Sequence, residues 1–289
     1  MFWGYGKGYV ESDVQAAFDA CMRAGINFFD TAEVYGLGRS ERMLGRFLKT
    51  DGRPAIVATK FFPFPFRLTR GSLYRALRGS LRRLQLPQVD LYQMHQAFPP
   101  VSVETWMDAM ATALREEKTR AIGVSNYNPG WTLAAHKALE KRGLALASNQ
   151  ISFSLINRKP ERTGLVDLCR ELGVMVIAYS PLGMGMLSGK YTPDNPPKDF
   201  RNARFPREFL THLQPLVGLI REIGEGKGGK TNSQVALNWI MRKGAVPIPG
   251  VKNERQALDV IGSLGWSLTS AEMDALDKAS ELFARNARR

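Results

Sequence analysis

The chain has 289 residues, 44% of them hydrophobic, and 40 Lys and Arg against 27 Asp and Glu give a formal charge of +13. Length and apolar content suffice for one large core, and no apolar run approaches the roughly 18 residues of a membrane span. The cations are dispersed beside acids, as at Glu116, Glu117, Lys118 and Arg120, with no basic block interleaved with aromatics, which argues for a solvated basic surface over a nucleic-acid groove. Cys21 and Cys169 lie in separate helical segments without CxxC or metal-ligand spacing. They read as free thiols in a reducing compartment, with a disulfide as the alternative. No signal-peptide pattern opens the chain, and Glu11, Asp13 and Asp19 argue against a transit peptide. The expected location is a reducing compartment, the cytoplasm or, as the resemblance described below implies, the plastid stroma.

In chain order, loop-like FWGYG (2–6) precedes a helical pattern at 13–25 and an apolar strand run, INFFDTA, at 26–32. A helix at 40–49, a strand at 55–60, the segment FFPFPF (61–66) and a helix at 69–84 follow. Strands at 89–95, 121–126, 147–153 and 174–181 are separated by helical patterns at 103–117, 132–143 and 163–173. Gly25, Gly143, Gly173 and Gly244 stand where helices end. A Gly/Pro/Asn-rich stretch (183–206) breaks the rhythm before helices at about 207–225 and 231–244, a last strand at 245–250 and a helix starting near Asn253. EGKGGK (225–230) reads as a short surface linker and not as a phosphate loop, since no strand precedes it.

This alternation predicts right-handed parallel β/α units in a single domain over 1–289. Seven strands are visible, and an eight-stranded barrel needs one more, upstream of Met1. The fold expected is a (β/α)8 TIM barrel lacking its first strand, with an open sheet as the alternative. Three successive strand ends then deliver Asp30 and Tyr35, Lys60, and His95 to one face. A free phenol has a pKa near about 10, and an adjacent ammonium lowers the cost of losing its proton. A carboxylate would hold that ammonium charged, and an imidazole could orient a substrate oxygen. The set suits polarisation of a carbonyl and protonation of the alkoxide formed as hydride arrives.

FFDTAEVYG (28–36), the Lys of ATK and the His of DLYQMH resemble the aldo-keto reductase superfamily, and the likeness continues in GVSN (123–126), SNQ (148–150), YSPLGMG (179–185), SGKY (188–191) and PIPG (247–250). It is nearest to the bacterial and plant branches, plastid reductases included. The resemblance implies an NADPH-dependent oxidoreductase that reduces aldehydes and ketones to alcohols without a metal. Tyr35 would be the general acid, Lys60 and Asp30 its tuning pair, and His95 the carbonyl-orienting group. Ser125, Asn126 and Gln150 match positions that hold the nicotinamide carboxamide, and Tyr179 the ring that stacks on it. Ser180, Leu182, Gly183 and Lys190 match the pyrophosphate belt. Pro249, Gly250, Lys252 and Gln256 match the grip on the adenosine 2′-phosphate, where Lys252 and Arg255 favour NADPH over NADH. Phosphate sites at late barrel loops and helix N-termini agree with that placement.

Substrate contacts are expected from Trp3, Phe61, Phe62 and Phe98, with Tyr5, Met184 and Met186 beside them, an apolar aromatic wall suited to hydrophobic or aromatic carbonyls. The partner implied is a small carbonyl substrate, with no nucleic acid or membrane, and the protein a monomer or weak homo-oligomer. Three departures stand out: the family's first strand, a GxGTW-like segment, is not in the chain; Val260 replaces a common Asn at the adenine; and the C-terminal tail is short. Two other readings remain. One is a cofactor-binding regulatory subunit like the potassium-channel β subunits, against which His95 speaks, because those carry Asn there. The other is an inactive truncated product.

Overall fold

The computed structural model describes residues 10–286. Its helices are α1 (Glu11–Arg23), α2 (Arg39–Asp51), α3 (Arg70–Leu84), α4 (Val103–Arg115), α5 (Pro129–Glu140), α6 (Lys159–Arg162), α7 (Leu165–Glu171), α8 (Arg201–Arg204), α9 (Arg207–Gly226), α10 (Asn232–Arg242), α11 (Glu254–Ile261) and α12 (Ser270–Asn286). The strands are β1 (Phe28–Asp30), β2 (Ile56–Phe61), β3 (Val89–Met94), β4 (Thr119–Ser125), β5 (Leu146–Ser152), β6 (Met175–Tyr179) and β7 (Val246–Ile248). Each of the seven runs read from sequence forms a strand, and sheet order equals chain order. This is the parallel β/α arrangement expected of the barrel class.

The chain divides into two compact units. The first comprises Met1–Ile151, Glu161–Ile177 and Gly250–Ala257; the second comprises Ser152–Pro160, Ala178–Pro249 and Leu258–Arg289. In the first, β1 to β5 pair parallel, with Phe28 opposite Ile56, Lys60 opposite Gln93, Gln93 opposite Gly123, and Ser125 opposite Gln150. Side chains alternate along a strand. Lys60, Gln93 and Gln150 therefore share one face, while Phe61 turns to the other and packs on Trp106 of α4, ring centroids 5.4 Å apart. Gly123 keeps that inner face passable: a Cβ there would lie 2.5 Å from Ser148 Oγ and 3.0 Å from Gln93 Cγ.

The outer layer follows from helical spacing. Val14, Ala17, Phe18 and Cys21 of α1 are buried, and Phe18 meets Phe29 of β1 at 4.8 Å and Phe47 of α2 at 5.6 Å. Thr69, Ser102 and Asn128 cap α3, α4 and α5 with side-chain oxygens that accept backbone N–H groups. The cap by Asn128, with Pro129 in the first turn, starts α5 three residues earlier than the apolar pattern suggested. Gly25, Gly143, Gly173 and Gly244 all have positive φ, as helix-terminating glycines require.

In the second unit, Thr231 and Gln234 form a capping box on α10. Trp239 is fully buried, donates to Asp277 of α12 at 2.8 Å and packs on Phe153 at 5.3 Å. The irregular stretch after β6 holds a 3-10 turn (Gly183–Ser188) and α8, both too short for periodicity to reveal. Helix α9 runs to Gly226, so the segment read as a linker at 225–230 begins inside it. No helix among the described residues is long and apolar enough to cross a membrane.

Candidate active site

Parallel register in the first unit brings Asp30 and Lys60 together inside the sheet, their side chains 2% and 0% accessible. The Lys60 ammonium spends its three donors locally: Nζ donates to Asp30 Oδ2 at 2.5 Å, to the Thr31 carbonyl at 2.8 Å and to the Tyr35 hydroxyl at 3.4 Å. The other Asp30 oxygen, Oδ1, accepts from Gln150 Nε2 at 2.7 Å and Gln93 Nε2 at 3.2 Å. Burial alone would raise the carboxyl pKa; the adjacent ammonium outweighs it and holds Asp30 below its ordinary value. For Lys60, burial pulls the pKa down, and the Asp30 carboxylate, followed by Tyr35, pushes it above the ordinary value. The pair is charged across the neutral range.

His95 follows β3 and stands edge-on to Tyr35, with ring centroids 5.7 Å apart and planes at 80°. Its backbone N–H donates to the Phe61 carbonyl at 2.9 Å, and its Nδ1 is buried without a partner among the described residues. Burial, reinforced by the Lys60 charge, lowers its pKa to about 3, so the imidazole is neutral. Asn126 takes a left-handed conformation (φ 60°) and donates to the His95 carbonyl at 3.1 Å and to Ser125 Oγ at 3.0 Å. Ser125 Oγ donates to the Gln150 carbonyl at 2.9 Å. Asp30, Tyr35, Lys60, His95, Ser125, Asn126 and Gln150 thus form one connected polar cluster.

Comparison with known proteins gives the family. The Aldo/keto reductase family model matches residues 2–281. The chain belongs to the aldo/keto reductase family. It is 40% identical to the chloroplastic pyridoxal reductase of Arabidopsis thaliana over 97% of this chain and 80% of that one. Among solved structures it is similar to the glycerol dehydrogenase of Gluconobacter oxydans, with a TM-score of 0.85, 27% identity, and 99% of this chain and 90% of that one covered. An aldo/keto reductase from Klebsiella pneumoniae, solved with NADP and acetate, shares the fold at 24% identity and a TM-score of 0.75, covering 95% of this chain and 86% of that one. The chain is accordingly an oxidoreductase on the (β/α)8 fold.

The remaining sequence-read positions are distributed over both units. In the first, Lys252 N donates to Gln256 Oε1 at 2.9 Å and Gln256 N donates to Asn253 Oδ1 at 3.0 Å, so Asn253 caps α11 and Gly250, Lys252 and Gln256 surround its start. In the second, Tyr179 ends β6; burial raises its phenol pKa, against a hydrogen bond with Ser152. Ser180, Gly183, Met184 and Gly185 all have positive φ, and a Cβ on Gly183 would fall 2.2 Å from Ile156 Cδ1. Leu182 precedes this turn and Pro249 follows β7. The Lys190 ammonium lies 4.8 Å from the Tyr191 ring centroid.

Two substrate-side expectations change. Phe61 is fully buried against Trp106, because strand alternation turns it outward when Lys60 points in, which removes it from any substrate wall. Met186 is likewise fully buried. Phe62 is half-buried with its ring 5.3 Å from His95, and Phe98 is half-buried beyond β3. Trp3 and Tyr5 lie outside the described residues.

Sequence reading missed the parts that brace the cluster. Gln93 was legible by period two, two residues before His95 on the face that Lys60 shares. At the start of α2, Ser40 Oγ accepts from Thr31 at 2.8 Å, and buried Glu41 accepts from Thr59 at 2.6 Å and from Arg83 at 2.6 Å. These bonds fix the residues next to Asp30 and Lys60 from outside the sheet. A cavity of about 570 Å³ lined by Gly45, Pro54, Leu84, Asp90 and Arg120 sits at the N-terminal ends of β2 and β3, away from this chemistry.

Proposed function

We propose that this protein is an NADPH-dependent carbonyl reductase that converts aldehydes and ketones to primary and secondary alcohols. The observation that carries the reading is the Lys60 ammonium, held by Asp30 and directed at the Tyr35 hydroxyl at 3.4 Å.

The donor sets in each unit fit the cofactor. In the first, Ser125, Asn126 and Gln150 offer the hydroxyl and amide groups that a carboxamide needs. In the second, Ser180, Gly183, Met184 and Gly185 turn left-handed, and the Lys190 ammonium lies close to Gly185 as a cation suited to phosphate oxygens. At α11, the helix N-terminus with Lys252 and Arg255 favours a 2′-phosphate, and so NADPH over NADH. When bound, the cofactor supplies hydride to the carbonyl carbon. Tyr35 gives its hydroxyl proton to the carbonyl oxygen as negative charge grows there, and the new O–H and C–H bonds complete the alcohol. Lys60 stabilises the phenolate left behind, and Asp30 keeps Lys60 charged. Neutral His95 orients the carbonyl oxygen toward Tyr35 without competing as an acid. This division of labour is what a phenol needs to act as an acid at neutral pH.

The test is Tyr35→Phe, assayed by NADPH consumption on an aldehyde panel that includes pyridoxal, the substrate in the Arabidopsis relative's name. General-acid loss should cut kcat/KM by about 10²–10⁴, while fluorescence titration shows NADPH affinity retained. Wild-type turnover in the variant overturns the proposal.

A further inference from the structure

The segment after Lys60 alternates Phe and Pro. Proline fixes φ and lacks an N–H, so Pro63 keeps the chain out of the sheet ladder and Pro65 takes the second position of a turn over 64–67. Phe62 and Phe64 are 4.7 Å apart by ring centroid, and Phe64 and Phe66 are 5.6 Å apart and within 2° of parallel. Phe62 in turn meets His95 at 5.3 Å, and His95 meets Tyr35. A continuous file of rings therefore runs from the proton-donating phenol out to Phe66, which is 81% exposed.

This file is clamped. A turn closed by Arg67 N donating to the Phe64 carbonyl at 2.8 Å folds Arg67 back. Its guanidinium lies 4.8 Å from the Phe61 ring centroid and 5.8 Å from that of Phe64, and it donates to both oxygens of Glu33 at 2.9 and 3.0 Å. Glu33 belongs to the loop between Asp30 and Tyr35, and its Oε1 also accepts the Phe62 backbone N–H at 3.0 Å. One carboxylate joins the proton-donor loop to the aromatic segment. Stacking rewards parallel or edge contact only at close ring separation, so a shift of this segment would lose it.

We infer that Glu33 and Arg67 are positioning residues that set the face formed by Phe62, Phe64 and Phe66 beside His95 as a stacking platform for flat aromatic aldehydes and ketones. The inference rests on the carbonyl-reductase reading for its chemistry, but its binding arm can be tested alone. Arg67→Met keeps an unbranched, flexible apolar stem and removes the guanidinium that makes the clamp. The ratio of kcat/KM for 2-naphthaldehyde to that for propanal should fall about tenfold. The loss should be carried by KM, and Arg67→Lys should recover part of it. Phe64→Leu, which leaves the ion pair intact, should lower the ratio similarly. Calorimetric titration of the NADP⁺-loaded protein with 2-naphthylmethanol should show the matching loss of affinity. An unchanged ratio, a change in kcat alone, or wild-type binding of 2-naphthylmethanol no tighter than cyclohexylmethanol would overturn the platform. If the wild type binds 2-naphthylmethanol through these residues yet reduces neither aldehyde, the platform stands and the reductase reading falls.

Discussion

Replacing Lys60 by Met removes one charge from a pair whose side chains are 0% and 2% accessible. In the native protein the two charges protect each other. Asp30, with a lowered folded pKa, contributes stability present above about pH 3.9 and lost as pH falls through that folded value. Lys60, with a raised folded pKa, contributes stability present below about pH 10.4 and lost as pH rises through its own. Between these limits both contributions are complete. Lys60→Met strands a buried carboxylate, and breaking such a pair costs about 3–5 kcal/mol. The two amide donors from Gln150 and Gln93 remain on Oδ1, which places the loss near the lower end, about 3 kcal/mol at pH 7. In the variant only the amide hydrogen bonds oppose burial, so the Asp30 pKa rises above its unfolded value and protonation relieves the penalty. Urea titrations of both proteins should show the stability gap shrinking from pH 7 to pH 5. A gap below about 1 kcal/mol at pH 7, or one that widens toward pH 5, would refute the reasoning.

Three other outcomes follow from the same geometry. His95 refuses a proton until about pH 3 when folded, whereas the unfolded residue takes one up near pH 6.5 or so. Stability carried by this group is therefore lost as pH falls below about 6.5, and His95→Gln should flatten that slope in urea midpoints measured between pH 7 and pH 4.5. For the same reason the kcat/KM profile of the wild type should show no histidine step near neutrality. Gly45 of α2 sits against the backbone of Leu84 and Arg83, where an added Cβ would fall 2.6 Å from the Leu84 carbonyl oxygen; Gly45→Ala should lower stability by about 1–2 kcal/mol by overpacking, against the gain of nearly 1 kcal/mol that helix propensity alone predicts.

The strands were legible because each is a short apolar run closed by a turn signal, and parallel β/α order needs nothing more. Asp30, Lys60 and His95 were legible because they close three successive runs. The error at Phe61 has a simple physical origin: adjacency to Lys60 in sequence means the opposite face in a strand. Glu41 and Arg83 were hidden because each looks like an ordinary helical surface charge, and only packing of α2 and α3 on the sheet buries Glu41. Glu33 was hidden likewise, since its partners Phe62 and Arg67 lie about thirty residues away in sequence. The 3-10 turn after β6 lacked a periodic signal, although Gly183, Gly185 and Gly189 mark where the backbone must turn left-handed.

The central claim is that Tyr35, held by Lys60 and Asp30, protonates a carbonyl oxygen while hydride arrives from NADPH. Its most direct test is reduction of 2-naphthaldehyde with NADPH deuterated at the transferring position of the nicotinamide, followed by NMR of the alcohol from the wild type and from Tyr35→Phe. The account predicts one deuterium on the carbinol carbon with the wild type and almost no alcohol with the variant, although the variant still binds the cofactor. Undeuterated alcohol, or equal yields from the two proteins, would contradict it.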